Sequence, residues 1–220
     1  SKTALEDGDR QVSFLGLMDN SKKIAGSMKH LPRNSPVAIM LDRSAKCVEA
    51  MLAAVYAGCF YTVIDVDSPA ARISEIFRTL KPQAVITDLS HLQDANRVYE
   101  GDTVVIYEQA VKDPQDRQFL EGVRRSMIDA DPLYVLFTSG SSGVPKGTVL
   151  SHRSVISYID WVTGEFGFDD ATVFGSQTPL YFSMSVTDLY STMKCGCTYD
   201  IIPTALFSFP VKLIEHLNRS

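Results

Sequence analysis

The chain has 220 residues, of which 45% are hydrophobic and 21% are charged, as is typical of globular proteins. Its net charge of −5 argues against a nucleic-acid partner or a broad anionic-membrane surface. No apolar run approaches the about 18 residues of a membrane span, so no membrane insertion is expected. The polar start lacks a signal-peptide pattern, and the four cysteines lack nearby zinc-ligand partners. These features predict a cytoplasmic protein with reduced thiols and no metal site.

Helix-like and strand-like segments alternate along the chain. Apolar spacing predicts helices over 12–31, from Ser44 to Gly58, over 69–80, from about Ser151 to Phe166, over 185–196 and from 210 onward. Short apolar runs predict strands at 36–41, 60–65, 83–87, 103–107, 132–138, 147–152, 172–177 and 198–202. The segment 108–131 is charged and weakly patterned, as a surface helix or a loose connection would be. The alternation predicts an α/β fold with helices packed on both faces of a mostly parallel sheet.

The stretch "FTSGSSGVPKG" at 137–147 is built from small residues and carries one charge, on Lys146. Glycine and serine let a backbone approach an anion closely, so this loop indicates a phosphate site. A flexible linker is less favoured because apolar strands flank the loop. The spacing of Gly140 and Lys146 matches the Walker pattern, but Pro145 and Gly147 replace the second glycine and the Mg²⁺-binding hydroxyl. A strand also follows where that pattern needs a helix, which excludes a P-loop NTPase.

The longer stretch "YVLFTSGSSGVPKG" resembles the phosphate-loop signature of the adenylate-forming (AMP-binding) enzymes, from which only Ser142 departs. "AVYAGCFYTVID" at 54–65 and "VSFLGL" at 12–17 resemble two further segments of that family. "QTPLYFSMSVTDLYSTMKCGCTYDIIP" is most similar to D-alanine–carrier-protein ligases, and adenylation domains of non-ribosomal peptide synthetases are close relatives. The resemblance implies that residues 1–220 are the N-terminal portion of an adenylation domain. The rest of the large domain and a small C-terminal domain would then lie outside the chain.

Enzymes of this family join a carboxylate to the α-phosphate of ATP, release pyrophosphate and pass the acyl group to a thiol. The resemblance therefore implies a ligase that uses ATP and Mg²⁺, with the metal ligand beyond residue 220. The substrate would be a small carboxylic or amino acid such as D-alanine. The acceptor would be the phosphopantetheine thiol of an acyl carrier protein, or CoA. The implied phosphate-binding residues are Thr138, Ser139, Gly140, Ser141, Ser142, Gly143 and Lys146.

Phe182 and Ser183 occupy the substrate-binding position of the family, where amino-acid-activating members carry Phe-Asp. A neutral hydroxyl cannot balance a buried ammonium. Ser183 therefore keeps two alternatives open: an acyl-CoA or aryl-acid ligase, and a degenerate, non-catalytic binding domain. The chain shows no catalytic residue of the family, whose adenine, ribose and Mg²⁺ motifs and mobile lysine come later. The fragment alone is expected to be inactive.

Several other polar residues are interpreted as structural. Ser185 and Asp188 have the spacing of a helix capping box, which is favoured over a substrate role for Asp188. His152 is interpreted as a helix-start or interface residue, which is favoured over a catalytic role. Asp65 and Asp67 are interpreted as strand-end and turn residues.

Overall fold

The computed structural model describes residues 2–138 and 145–218. The strands are β1 Thr3–Asp7, β2 Arg10–Ser13, β3 Pro36–Met40, β4 Phe60–Val63, β5 Ala84–Thr87, β6 Val104–Ile106, β7 Pro132–Thr138, β8 Lys146–Ser151, β9 Val173–Gly175 and β10 Thr198–Asp200. The α-helices are α1 Phe14–Gly26, α2 Ala45–Tyr56, α3 Ala70–Leu80, α4 Leu92–Val98, α5 Tyr107–Ala110, α6 Arg117–Ser126, α7 His152–Phe166, α8 Ser185–Cys195 and α9 Pro210–Leu217. A 3-10 helix spans Thr204–Ser208. The predicted α/β fold is confirmed.

The chain divides into two compact units, each with its own sheet. The six-stranded unit comprises Met18–Asp42 and Lys46–Val155. The four-stranded unit comprises Ser1–Leu17, Arg43–Ala45 and Ile156–Ser220.

The sheet of the six-stranded unit has the strand order β6-β5-β3-β4-β7-β8. All neighbours pair in parallel except β7 and β8, which form an antiparallel hairpin. Helices connect the parallel strands, as parallel pairing requires. The carboxyl ends of β3, β4, β5, β6 and β7 therefore share one edge of this sheet.

Both faces of this sheet are covered. Ala38 and Met40 on β3 contribute to a core with Ile76 and Phe77 of α3. The alternate residues of β3 point to the opposite face, where Val37 and Ile39 are also fully buried. Burial on both faces explains why these strands are continuous apolar runs, and it is why the sequence predicted them well.

The sheet of the four-stranded unit has the order β2-β1-β10-β9. Strand β1 pairs antiparallel with β2 and parallel with β10, which pairs parallel with β9. The predicted helix over 12–31 is wrong at both ends, because Val12 belongs to β2 and α1 ends at Gly26. None of the helices within 2–138 and 145–218 is long and apolar enough to cross a membrane. All four cysteines are free.

Candidate active site

The β7–β8 hairpin positions the two ends of the predicted phosphate loop. Thr138 is the last residue of β7, and it pairs with Lys146, the first residue of β8. Both residues are exposed, so the hydroxyl and the ammonium are open to a ligand. The other predicted loop residues lie outside the described residues, namely Ser139, Gly140, Ser141, Ser142 and Gly143. The described ends agree with the strand–loop–strand context that the sequence predicted.

Thr138 lies at the carboxyl edge of the parallel strands, because β7 runs parallel to β4 through the pairing of Tyr61 with Tyr134. Open α/β sheets bind ligands outside this edge. The adjacent Gly147 faces Phe137 in the hairpin register. A Cβ added at Gly147 would lie 2.9 Å from Cγ1 of Val135 and 3.1 Å from Cζ of Phe137. The close cross-strand packing therefore requires glycine immediately after Lys146.

The start of the same hairpin is held by the buried carboxylate of Asp131. It accepts hydrogen bonds from Nη2 of Arg33 at 2.6 Å, Nδ2 of Asn34 at 3.3 Å and the backbone N–H of Ile128 at 3.0 Å. Burial alone would raise the pKa of Asp131, but these donors hold it below its ordinary value. The backbone N–H of His152 donates to the Asp131 carbonyl at 3.0 Å. These contacts fix where β7 begins and where α7 follows β8.

His152 is the first residue of α7, as the sequence predicted. Its Nε2 is buried, with no hydrogen-bond partner in the part of the chain that the structure describes. Burial lowers the pKa of His152, against the opposing effect of Asp131, so the ring is neutral at physiological pH. A neutral, half-buried imidazole at a helix start fits a structural role better than a catalytic one.

Sequence reasoning missed a charged cluster farther along the same edge. Nζ of Lys46 lies 2.7 Å from Glu108 and 3.6 Å from Asp88. His91 bridges the carboxylates of Asp88, at 2.9 Å, and Asp42, at 3.5 Å. Burial alone would lower the pKa of Lys46, but Glu108 and Asp88 raise it. The signal was present in the sequence, because Asp42, Asp88 and Glu108 follow β3, β5 and β6. Because these side chains pair with one another, we interpret the cluster as a structural link between the strand ends.

Asp65 and Asp67 lie beyond the carboxyl end of β4, in the predicted turn. Oδ1 of Asp65 accepts from the Asp67 N–H at 3.2 Å, and Oδ2 accepts from the Ser68 hydroxyl at 3.0 Å. These local bonds confirm the predicted turn role of Asp65.

The predicted substrate residues lie in the four-stranded unit, in a turn that precedes α8. Phe182 and Ser183 are exposed, and the ring of Phe182 contacts that of Tyr181 at a centroid distance of 5.0 Å. The Phe182 N–H donates to the Pro179 carbonyl at 3.0 Å. The Ser185 N–H in turn donates to the Phe182 carbonyl at 3.2 Å. This turn presents Phe182 and Ser183 to solvent rather than to the core.

The predicted capping box is wrong. The N-cap of α8 is Met184, and Ser185 is already the first helical residue. The Ser185 hydroxyl donates to the Phe182 carbonyl at 2.7 Å, and the start of α8 has no side-chain capping hydrogen bond among the described residues. Without the box, Asp188 loses the structural role that the sequence gave it.

Asp188 is partly buried in the first turn of α8. Among residues 2–138 and 145–218, the structure gives its carboxylate neither a hydrogen bond nor an ion pair. Burial raises the pKa of Asp188 from 3.8 to about 6. The positive end of the helix dipole lowers such a pKa, so burial outweighs it here. An unpaired carboxylate five residues after Ser183 can receive a cationic group.

The model of the AMP-binding enzyme family matches residues 1–219. The D-alanine–D-alanyl carrier protein ligase of Lacticaseibacillus paracasei is 28% identical over 205 residues, which are 92% of this chain and 40% of that protein. An L-proline–(L-prolyl-carrier protein) ligase of Streptomyces coelicolor is 28% identical over 199 residues, covering 83% of this chain and 37% of that protein.

Among solved structures, ATP-bound MatB from Rhodopseudomonas palustris superposes with a TM-score of 0.81 at 19% identity, over 92% of this chain and 42% of that one. This likeness shows the fold. The chain spans 40% of the length of the L. paracasei ligase and 42% of that of MatB. With the family model matched over nearly every residue, the chain belongs to the AMP-binding enzyme family of adenylate-forming ligases.

Proposed function

We propose that the chain is the N-terminal portion of an adenylation domain whose parent enzyme activates a small carboxylic or amino acid with ATP. The carboxylate attacks the α-phosphate, the bond between the α- and β-phosphates breaks, and pyrophosphate leaves. The acyl-adenylate then transfers its acyl group to a thiol, and AMP is released. An amino acid such as D-alanine and a carrier-protein thiol are the favoured substrate and acceptor.

The main support is the pairing of Thr138 with Lys146, the two residues that flank the stretch 139–145 in the sequence. The β7–β8 register holds these two residues opposite each other at the carboxyl edge of the sheet. A hydroxyl and a cation at the two ends of a loop of small residues suit the oxygens of a polyphosphate. ATP is the proposed ligand of this loop, and the match of the AMP-binding enzyme family over residues 1–219 supports that proposal.

The residues of this chain supply positioning and charge rather than acid–base chemistry. Lys146 would neutralise the developing negative charge on pyrophosphate, and Thr138 would fix one phosphate oxygen by a hydrogen bond. Nucleotidyl transfer of this kind depends on orientation more than on covalent catalysis by the protein. Mg²⁺ would supply further charge neutralisation, with its ligand expected outside this chain.

A carrier-protein thiol is the favoured acceptor because the relatives named above are carrier protein ligases. An amino-acid substrate gains support from the carboxylate of Asp188, which has no partner among the described residues and would pair with a substrate ammonium. In this proposal Asp188 takes the role that the family gives to the acid absent at Ser183.

The decisive experiment is acid-dependent exchange of labelled pyrophosphate into ATP by the parent enzyme. The panel should pair D-alanine with L-alanine and propionate, and it should include an aryl acid such as benzoate. Exchange that depends on one of these acids supports the proposal. An intact parent that exchanges no label with any carboxylic acid, despite bound ATP, would contradict it.

A second candidate is an acyl-CoA or aryl-acid ligase, which the neutral, exposed Ser183 favours. An acid without an ammonium needs no carboxylate at that position. Exchange with propionate or benzoate that exceeds exchange with alanine, followed by acyl transfer to CoA, would select this candidate.

A further inference from the structure

A groove of about 800 Å³ lies in the six-stranded unit, between α1, α2 and α6. Small-molecule sites in proteins commonly measure about 300–1,000 Å³, so the groove is large enough for a ligand. Its apolar lining consists of Met18, Val55, Leu120, Val123 and Met127. None of its lining residues belongs to the β7–β8 hairpin or to the turn that carries Ser183, and the proposed function makes no use of it.

The groove is cationic, although the chain as a whole carries a charge of −5. Lys22, Arg117 and Arg124 line it, against a single acid, Glu121. Oε2 of Glu121 lies 3.7 Å from Nη2 of Arg125, which is not a lining residue. Arg117 and Arg124 have no carboxylate partner in the described part of the chain. Their seven-residue spacing puts both on one face of α6, with Leu120 between them.

A neutral hydrogen-bond donor accompanies these cations. Tyr56 lines the groove, and the Lys22 ammonium lies 5.4 Å from the centre of its ring. Across residues 2–138 and 145–218, the structure assigns no hydrogen bond to the Tyr56 hydroxyl. Burial raises the pKa of Tyr56 above its ordinary value, so the hydroxyl keeps its proton and can donate it. The nearby carboxylate of Asp19 is already bound by Lys23 at 2.7 Å and Gln115 at 2.6 Å.

We propose that this groove binds a soluble carboxylate amphiphile, such as a medium-chain fatty acid. Its apolar body would lie against Leu120 and Val123, and its carboxylate would lie among Lys22, Arg117 and Arg124. Eleven described residues line the groove, whereas a stable protein interface uses about 20–30 residues on each side. The size therefore favours a small ligand over a protein segment.

Decanoate is a suitable probe, with decyltrimethylammonium as a ligand of equal chain length and opposite charge. Isothermal titration calorimetry of the 220-residue chain should give saturable binding of decanoate and much weaker binding of the cation. The double variant Arg117→Gln, Arg124→Gln should lower decanoate affinity about tenfold, because each exposed ion pair contributes a factor of a few. Arg125→Gln is the matched control on the same helix. The affinity of this variant for decanoate should stay within about twofold of that of the unaltered chain.

The binding position can be read from ¹³C-labelled methionine methyl groups. Decanoate should shift the resonances of Met18 and Met127, which line the groove, and leave that of Met184 unchanged. Met184 is a useful reference because it is 69% exposed and lies in the other unit. Shifts at Met184 alone, equal affinity for the two probes, or unchanged affinity in the double variant would overturn the proposal. Binding to phosphatidylglycerol vesicles without saturable binding of decanoate would overturn it as well.

Discussion

Lys146 is the residue on which the proposed binding of ATP phosphates depends most. It is exposed at the start of β8, opposite Thr138. We expect Lys146→Ala in the parent enzyme to lower ATP-dependent adenylate formation by about 10- to 150-fold, since a charge-assisted contact contributes about 1.5–3 kcal/mol. The rate at limiting ATP is the measurement. Lys112→Ala, which removes an exposed lysine elsewhere in the six-stranded unit, is the control. Equal rates for both variants would remove Lys146 from the phosphate site.

Ser183 and Asp188 together decide whether an ammonium group can be bound. If Asp188 is the acid that pairs with it, Asp188→Asn should lower the ratio of kcat/KM for alanine over propionate by about 30-fold or more. Loss of one partner from such a pair costs about 2–5 kcal/mol. Ser183→Asp, made in the Asp188→Asn background, should restore part of that ratio. A ratio that stays high in the Asp188→Asn parent would place amino recognition on a residue outside this chain.

The raised pKa of Asp188 also predicts a pH-dependent stability. The folded-state pKa of about 6 exceeds the value of 3.8 for an unperturbed carboxyl. The folded state therefore holds this proton more tightly, and stability falls as pH rises from about 4 to about 6. Asp188→Asn should be more stable than the wild-type chain at about pH 7.5, by about 1–2 kcal/mol after allowance for partial exposure. The gain should vanish near pH 4, and thermal unfolding at both values measures it. A variant no more stable than the wild type at about pH 7.5 would contradict this prediction.

At the scale of the element, the β7–β8 hairpin depends on Gly147. A Cβ there would lie 2.9 Å from Val135 and 3.1 Å from Phe137, closer than van der Waals contact allows. We expect Gly147→Ala to destabilise the six-stranded unit by about 1–3 kcal/mol, which is typical of overpacking, and to displace the adjacent Lys146. Lower thermal stability of the chain and a raised KM for ATP in the parent would be the two readouts. Gly122→Ala on α6 is the matched control, because a Cβ there meets nothing within 4 Å. If the two variants have the same melting temperature, the hairpin tolerates the added methyl group and the prediction is wrong.

The elements differ in how far the sequence could predict them. Strands β3, β4, β5 and β7 were predicted because buried parallel strands are continuous apolar runs. Strands β1 and β2 were missed because they are short and partly polar. The parallel partner of β1 is β10, about 190 residues later. Helix α4 was missed as well, and α6 appeared only as one of two readings of a charged segment. The pairing of β1 with β10 leaves no local pattern in the sequence, because the two strands are so far apart along the chain.

The candidate site was predicted unevenly for similar reasons. Its loop has a dense local signature, and the strands on both sides of it are where the sequence placed them. Asp188 was misread because the Ser185–Asp188 spacing fits a capping box, which forms only where the serine is the N-cap and precedes the first helical residue. The turn that ends at Met184 places Ser185 inside the helix instead. The Lys46 cluster arises from three separate strand ends, and only the strand order brings them together.

At the scale of the whole molecule, the chain has the fold of an adenylate-forming enzyme but not its length. The alignment with the L. paracasei ligase includes 92% of the residues of this chain but only 40% of those of the ligase. Its two units each carry a part of the predicted site: the loop ends in the six-stranded unit, and Ser183 and Asp188 in the four-stranded unit.

The purified 220-residue chain should therefore fail to form adenylates by itself. The family resemblance assigns the adenine pocket, the ribose-binding acid, the Mg²⁺ ligand and the mobile lysine to later segments, so the chain would hold ATP by its phosphates alone. Losing several such contacts, each of about 1–3 kcal/mol, should bring the rate below detection. Acid-dependent release of pyrophosphate is the measurement, with the parent enzyme as the positive control. A Lys146→Ala version of the chain tests for contaminating full-length enzyme, because only activity of the chain itself would fall with that substitution. Pyrophosphate release that depends on both the added acid and Lys146 would show that the chain is a complete catalyst.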